Sequence, residues 1–463
     1  MGVPYLYLNL YKKYRKVKNL VIKNTDLPHN KGYRKLYFDF NSLIHPCANF
    51  ICQAEINSED IEAEIINFVI SFTKNIIKEL TIDYSDVLIF ADGLAPFGKI
   101  IQQKERRFKS IFLKMQNNEK VKFDSTQISP GTSFMKKLET SLKNDEYLKH
   151  CLIDFSKGEA EHKIIKHVKT LQSESEIFIY GLDADLIILS FLTDCNISLI
   201  RQKNIVPLHE QNIEFEILNI NLLKKAIIEE YKIKQPVNFF ENMVFVTFLL
   251  GNDFIKKSPF LIMNDLSNIL YICSKYNDKI IQPNGNLNKT IFMKILNEIN
   301  KISKLSINKR TKCINNSEYT TYDWLNNKTP EWIWVYKNDY INYPNKFYKE
   351  RYYLYYGIKS RDVQKLCNKY LHNLIWNFFY YINNEDVNSY AFYELDCPPL
   401  LDDFILNIES INIESKIYKP IINTEEKQLQ YILPNQDIIS EKKYPNIILD
   451  GFDCEWIWET KLI

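Results

Sequence analysis

Glycine is scarce in this sequence, 11 of 463 residues, about a third of the roughly 7% average usage. Asn, Ile, Lys and Tyr are abundant instead, the bias expected of coding pressure from an AT-rich genome. The glycines that remain should therefore stand where no other residue fits. An excess of one charge is also missing. Lys and Arg number 59 against 57 Asp and Glu, a net charge of +2, so any contact with nucleic acid must come from a local basic cluster rather than a global field. The nine cysteines form no C-x-x-C pair. Cys47 and Cys52 are the closest two, and no Cys/His set completes a zinc pattern, which points to reduced thiols in a cytoplasmic or nuclear protein. No apolar run is long enough to span a bilayer, the first residues lack the apolar core of a signal peptide, and Leu6 stands where a myristoylation site needs Ser or Thr. We expect no membrane association.

What is present is a chain with 46% hydrophobic residues, enough for a large core. Residues 35–255 read as α/β. Lys35–Phe40, Val87–Ala91 and Ile177–Tyr180 are short, β-branched or aromatic runs followed by helical patterns, as in a mostly parallel sheet with helices on both faces. Ligands of such sheets bind outside the carboxyl ends of the strands. The segment from 255 to 315 reads as helical and polar, with Lys304–Ser317 (KLSINKRTKCINNS) expected as a linker or loop. From about 318 the composition turns aromatic, and Tyr444–Ile463 reads as strand.

Acidic residues gather where the sheet would present them. Asp39 lies inside the apolar strand LYFDFN, where a carboxylate is costly unless paired or metal-bound. Asp92 directly follows VLIFA, Asp183 and Asp185 follow IFIYG, Glu159 and Glu161 open a helix in GEAEHKII, and Asp253 follows the apolar stretch ending in LLGNDF. Any one of these has a bland alternative as a turn or N-cap residue, and the Glu-x-Glu pair could simply answer the helix macrodipole. Seven carboxylates brought together cannot stay ionised without cations. All-oxygen ligands suit Mg²⁺ or Mn²⁺, and two such ions would suit in-line phosphodiester hydrolysis.

A basic stripe follows Asp92. Lys99, Gln103, Arg106 and Arg107 fall at i, i+4, i+7 and i+8, one face of a helix. Alone this could be a solvated cationic face; beside a metal site it suits phosphate oxygens.

Together these segments resemble the Xrn-type 5′→3′ exoribonuclease family. The matching pieces, in order, are MGVP, LYFDFNSLIHPC, IFADGLAPFGKIIQQKERRF, FDSTQISPGTSFMKKL, GEAEHKII, IYGLDADLIIL and FLLGNDF, with weaker matches in YKERYYLYYG, YLHNLIWNFFYY, PPLLDD, LQYILP and YPNIILDGFDCEWIW. The resemblance implies a PIN/flap-nuclease-like α/β fold: a nuclease core over 1–303 and a second, mixed, aromatic-rich region over 318–463 that closes the active site. It places the metal ligands on Asp39, Asp92, Glu159, Glu161, Asp183, Asp185 and Asp253. A 5′-monophosphate pocket falls on Lys99, Gln103, Arg106 and Arg107, and a base-stacking ring on His45. The family's second stacking residue, a tryptophan, is replaced, leaving Tyr390 or Phe392 as candidates. The implied substrate is single-stranded RNA with a 5′-monophosphate, cut to mononucleotides with Mg²⁺ or Mn²⁺. Decapping or transcription-termination factors are the implied protein partners, and a monomer in cytoplasm or nucleus, of cellular or viral origin, is the expected state. The alternatives are a structure-specific 5′ DNA nuclease of the flap type and a catalytically idle protein that binds RNA 5′ ends.

Overall fold

The structure, a computed structural model, describes residues 3, 5–27, 33–54, 60–116, 122–171, 175–181, 183–202, 214–259, 261–313, 348–383, 393, 395, 397–411 and 424–432. Its frame is a seven-stranded sheet of β1 (Val21–Lys23), β2 (Arg34–Asp39), β3 (Val87–Phe90), β4 (Leu152–Asp154), β5 (Glu176–Tyr180), β6 (Asn196–Arg201) and β7 (Glu216–Asn219). The spatial order is β1-β7-β6-β5-β2-β3-β4. Strands β6, β5, β2, β3 and β4 run parallel, while β7 and β1 are antiparallel additions at one edge. The three strand runs expected from sequence are β2, β3 and β5, within a residue at either end.

Alternation along these strands sorts their side chains to opposite faces. Tyr37, Ile177, Ile179 and Leu199 enter one core, while Leu36, Phe38, Ile89, Phe178 and Tyr180 enter the other. Both faces are covered, so the central strands are apolar throughout rather than alternating with polar residues. The second face receives α2 (Asn41–Gln53), α3 (Ile61–Glu79) and α5 (Ser133–Asn144). The first receives α1 (Leu6–Tyr14), α6 (Ala160–Val168), α7 (Asp185–Phe191), α8 (Ile220–Tyr231), α9 (Pro236–Thr247), α10 (Leu266–Ser274) and α11 (Lys289–Cys313). Helix α4 (Phe97–Gln116) leaves the end of β3 and carries the basic stripe.

Beyond the sheet come α12 (Tyr348–Tyr355), α13 (Val363–Asn383), α14 (Leu401–Ile408) and α15 (Glu425–Ile432). Helices α13 and α14 bury Tyr370, Leu374, Phe378, Tyr381 and Phe404 in the same core cluster as Tyr37 and Ile179 of the sheet. Helix α15 lies on α4, where Ile432 packs with Phe97 and Ile100.

One expectation is corrected here. Lys304–Ser317 does not begin as a loop, because α11 continues through Cys313. The stretch contains no Gly or Pro to stop it, and Asp402 of α14 receives the Asn300 amide at 2.6 Å and the Lys304 ammonium at 2.8 Å. The strand expected over Tyr444–Ile463 lies outside the described residues. No helix among the described residues is long and apolar enough to cross a membrane. The described cysteines, Cys47, Cys52, Cys151, Cys195, Cys273, Cys367 and Cys397, are free thiols.

Candidate active site

The carboxyl ends of β2, β3, β4 and β5 all open on one side, and each delivers acids. Asp39 is the last residue of β2, Asp92 follows β3, Glu159 and Glu161 follow β4 at the start of α6, and Asp183 and Asp185 follow β5. Two glycines let these loops close on one another. A Cβ on Gly93 would sit 1.9 Å from the carbonyl oxygen of Ser156, and its N–H donates to the Gly158 carbonyl at 2.8 Å while the Gly158 N–H donates back to Leu94 at 3.0 Å. This clasp ties the Asp92 loop to the loop before Glu159. A Cβ on Gly181 would meet Leu186 at 2.2 Å and come within 3.4 Å of the Asp39 Cβ. The scarce glycines thus mark close approach of backbones beside the acids.

Asp39, Asp92, Glu161 and Asp183 line a cavity of about 440 Å³, together with His45, Lys99, Gln103, Arg106 and Arg107. Glu159 and Asp253 adjoin it through Lys99, whose ammonium lies 2.8 Å from Glu159 Oε1 and 2.5 Å from Asp253 Oδ2. Asp185 lies close enough to Asp183 and Asp253 to feel their charge. The structure therefore brings all seven acids to one place.

Their electrostatics carry the mark of that crowding. Burial, with the neighbouring Asp92 and Asp183 charges, pushes Asp39 up to about 7. Burial and the charges of Asp183 and Asp253 push Asp185 up to about 8. Glu161 is driven well above the carboxylate range by burial and then by Glu159, with Lys99 opposing. Burial works to raise Asp253 and positive charge, that of the Lys99 ammonium foremost, works to lower it, leaving the group well below its ordinary value. These are the conditions under which carboxylates either take up protons or take up cations.

Neutral donors fix most of the carboxylates. Ser42 Oγ donates to Asp39 at 2.5 Å, and Asn41 Nδ2 donates to Asp92 Oδ2 at 3.0 Å. The first N–H of α6, that of Ala160, donates to Asp92 Oδ1 at 2.9 Å, so Asp92 caps the helix that carries Glu161. Gln102 Nε2 donates to Asp253 at 3.1 Å, and Asp183 accepts from the Asp185 N–H at 3.2 Å. The hydroxyls of Tyr380 and Tyr381 donate to Glu159 Oε2 at 2.6 Å and Asp185 Oδ1 at 2.7 Å. His162 is buried, packs on Tyr380 with ring centroids 4.0 Å apart, and is pushed by burial and the Lys99 charge down to about 3. Among the described residues no three His, Cys, Asp or Glu side chains already form a closed metal cage; the Lys99 ammonium stands between two of the acids instead.

The basic face of α4 lines the same cavity. Arg106 reaches solvent. Arg107 Nη2 donates to Ser129 Oγ at 2.6 Å, and burial beside Arg106 lowers its guanidinium to about 10, still cationic at neutral pH. Gln103 is buried, and its Oε1 faces Gln428 Nε2 of α15 at 3.4 Å. Lys99 shares this helix face but points its ammonium into the acids. His45 also lines the cavity, and burial with the Arg106 and Arg107 charges lowers it to about 4. Tyr390 and Phe392 lie outside the described residues.

Sequence reasoning missed the tyrosines, Asn41, Ser42, Gln102, His162 and Gln428. Asn41 and Ser42 could have been found, since polar residues directly after a buried acid are ready-made donors for it. The tyrosines could not, since two aromatics late in an apolar helix read as core.

Residues 1–203 match the family described as the XRN 5′-3′ exonuclease N-terminus. The chain is 29% identical to the Saccharomyces cerevisiae protein named 5′-3′ exoribonuclease 1, over 57% of this chain and 20% of that one. It is 28% identical to the human protein of that name, over 58% and 18%, and 28% identical to 5′-3′ exoribonuclease 2 of Yarrowia lipolytica, over 56% and 34%. The chain thus spans about a fifth of the length of the first two relatives it matches. A crystal structure of the T5 D15 protein with metal ions aligns with 61% of this chain at 13% identity and a TM-score of 0.30, a likeness too distant to bear on the chemistry.

Proposed function

We propose that this chain, which belongs through residues 1–203 to the XRN 5′-3′ exonuclease family, hydrolyses single-stranded RNA from a 5′-monophosphorylated end, releasing mononucleotides. The observation that carries the reading is one cavity lined both by carboxylates and by Gln103, Arg106, Arg107 and His45.

The donor set fits hard divalent cations. It is all oxygen, and burial together with the neighbouring carboxylate charges holds Asp39 and Asp185 far above the ordinary carboxylate range. Asp39, Asp92, Glu159, Glu161, Asp183, Asp185 and Asp253 would hold Mg²⁺ or Mn²⁺, two ions in our reading. Bound there, the cations would supply an activated water and neutralise charge developing at the scissile phosphate and the departing 3′ oxygen.

The protein's own groups do the rest. Arg106 and Arg107 offer forked donors to the terminal phosphate, and Gln103 adds an amide. A doubly charged monophosphate matches this wall, while a 5′-hydroxyl end gives it nothing to bind. Lys99, which the resemblance places in the phosphate pocket, is engaged with Glu159 and Asp253 instead. His45, neutral at physiological pH, presents a ring face on which the first base stacks. Tyr390 or Phe392 would supply the opposing ring.

The test uses purified protein, Mg²⁺ and a 3′-labelled single-stranded RNA bearing monophosphate, triphosphate or hydroxyl at its 5′ end, with a flap DNA alongside. Loss of the monophosphate RNA with release of mononucleotides, and little loss of the others, is expected. Cleavage of the flap DNA in preference to RNA would move the reading to a DNA nuclease. RNA binding without any cleavage would move it to a 5′-end binder.

A further inference from the structure

Helix α13 ends its apolar run in Trp376-Asn377-Phe378-Phe379-Tyr380-Tyr381. Two phenylalanines come first, and Phe378 packs edge-on against Phe245 as an ordinary core ring. The two residues that carry hydroxyls are the two that meet acids. A buried hydroxyl is costly without a partner, and a core needing only volume is served by Phe. Adjacent helix residues point about 100° apart, and here the two rings diverge to carboxylates on different loops, Glu159 after β4 and Asp185 after β5.

The rings are held. Tyr380 stacks on Trp376 at 5.3 Å with 8° between planes, and His162 and Phe254 pack on it at 4.0 and 5.2 Å. Tyr381 packs on Phe248 at 5.0 Å. One helical turn or more earlier, Asn373 Nδ2 donates to the Phe254 carbonyl at 2.9 Å and Tyr370 OH to the Lys256 carbonyl at 3.0 Å. Those carbonyls belong to the loop that begins with Asp253. A single helix therefore braces three of the acid-bearing loops.

We infer that Tyr380 and Tyr381 are positioning residues that hold Glu159 and Asp185 in the orientation in which they receive divalent cations. The inference rests on the metal-site reading above. A phenol donating to one oxygen fixes the carboxylate's rotation and leaves the other oxygen for the ion. In Asp185 that is Oδ2; in Glu159 it is Oε1, which now faces Lys99. Groups that orient metal ligands in this way change metal affinity or activity by about 10–100-fold when removed.

The test is calorimetric titration of Mn²⁺ into the RNA-free full chain for the wild type, Tyr380→Phe, Tyr381→Phe and the double variant, with melting temperatures alongside. Tyr352→Phe is the control, because its buried hydroxyl donates to the Pro398 carbonyl at 2.6 Å in a separate cluster. Each single change is expected to weaken Mn²⁺ binding about tenfold and the pair toward 100-fold, while Tyr352→Phe lowers the melting temperature and leaves Mn²⁺ affinity alone. In turnover, kcat on monophosphate RNA should fall at fixed Mg²⁺ and recover as Mg²⁺ is raised, with KM for RNA unchanged. Wild-type Mn²⁺ affinity in the double variant would overturn the inference, as would a wild-type protein that binds no Mn²⁺, or a Tyr352→Phe control that loses as much affinity as the others. If one tyrosine variant fails to fold, the other single variant still decides. Mn²⁺ binding that depends on the tyrosines in a protein that cuts no RNA would uphold the inference and sink the exoribonuclease reading.

Discussion

On the acidic wall of the cavity the carboxylates are tied to named partners: Asp39 to Ser42, Asp92 to Asn41 and the Ala160 N–H, Asp253 to Gln102 and Lys99, Glu159 to Lys99 and Tyr380, and Asp185 to Tyr381. On the basic wall Arg107 is held by Ser129, while Arg106 on the same helix reaches water. The acidic side is built like a core, with repulsion held in place by packing; the basic side keeps Gln103 buried and Arg107 tied, and opens to water at Arg106. The difference follows from the chemistry each would serve. Groups that hold ions for hydrolysis need fixed geometry, whereas a wall that receives a new chain end after every cut needs access.

Substitution on the two walls should therefore differ in kind. Asp183→Asn or Asp185→Asn should abolish hydrolysis, a loss well beyond the ~100-fold expected of supporting groups, while RNA binding in Ca²⁺ or without metal stays within a few-fold; single-turnover assays and filter binding measure both. Near-normal rates in either variant would remove the acidic wall from the chemistry. Lys99→Met leaves Glu159 and Asp253 without their buried cation, which should cost about 3–5 kcal/mol of stability in metal-free protein. Millimolar Mn²⁺ should restore much of it, as thermal melts with and without the ion would reveal. Arg106→Ala should cut the preference for 5′-monophosphate over 5′-hydroxyl RNA by roughly tenfold, the scale of one charged hydrogen bond, with maximal turnover on saturating RNA nearly unchanged. A constant ratio would show Arg106 to be only surface.

The smallest effect concerns His45. Its folded-state value, about 4, lies below the ordinary 6.5. The stability contributed by the neutral ring is therefore fully present above about pH 6.5 and is lost as pH falls toward 4. Across pH 6–8 an NMR titration should show no protonation of His45 and RNA affinity no inflection from it. A mid-point near 6.5 would mean the ring is open to solvent and not poised for stacking.

Much of this arrangement was legible in the sequence for a physical reason. A parallel sheet sends the carboxyl ends of its strands to one side, so acids after β2, β3 and β5 had to converge, and a 3.6-residue period put Gln103, Arg106 and Arg107 on one face. Lys99 obeyed the same period, yet its long stem carries the ammonium across to Glu159 and Asp253, which no spacing rule specifies. Tyr380 and Tyr381 were illegible because their partners lie 221 and 196 residues away in the chain, and local pattern carries no information at that range. The continuation of α11 through Cys313 was misread because a run of polar Lys, Asn and Ser looks like a loop until its helical neighbours are known.

Those two long separations bear on time as well as geometry. Contacts between distant parts of a chain close late in folding, after the cost of ordering the intervening residues has been met, and during synthesis the N-terminal portion emerges first. All seven acids leave the ribosome before α13 does. A nascent chain that has not reached Val363 holds the carboxylates but not the helix that braces Glu159 and Asp185, so the acid cluster is among the last parts of the molecule to mature.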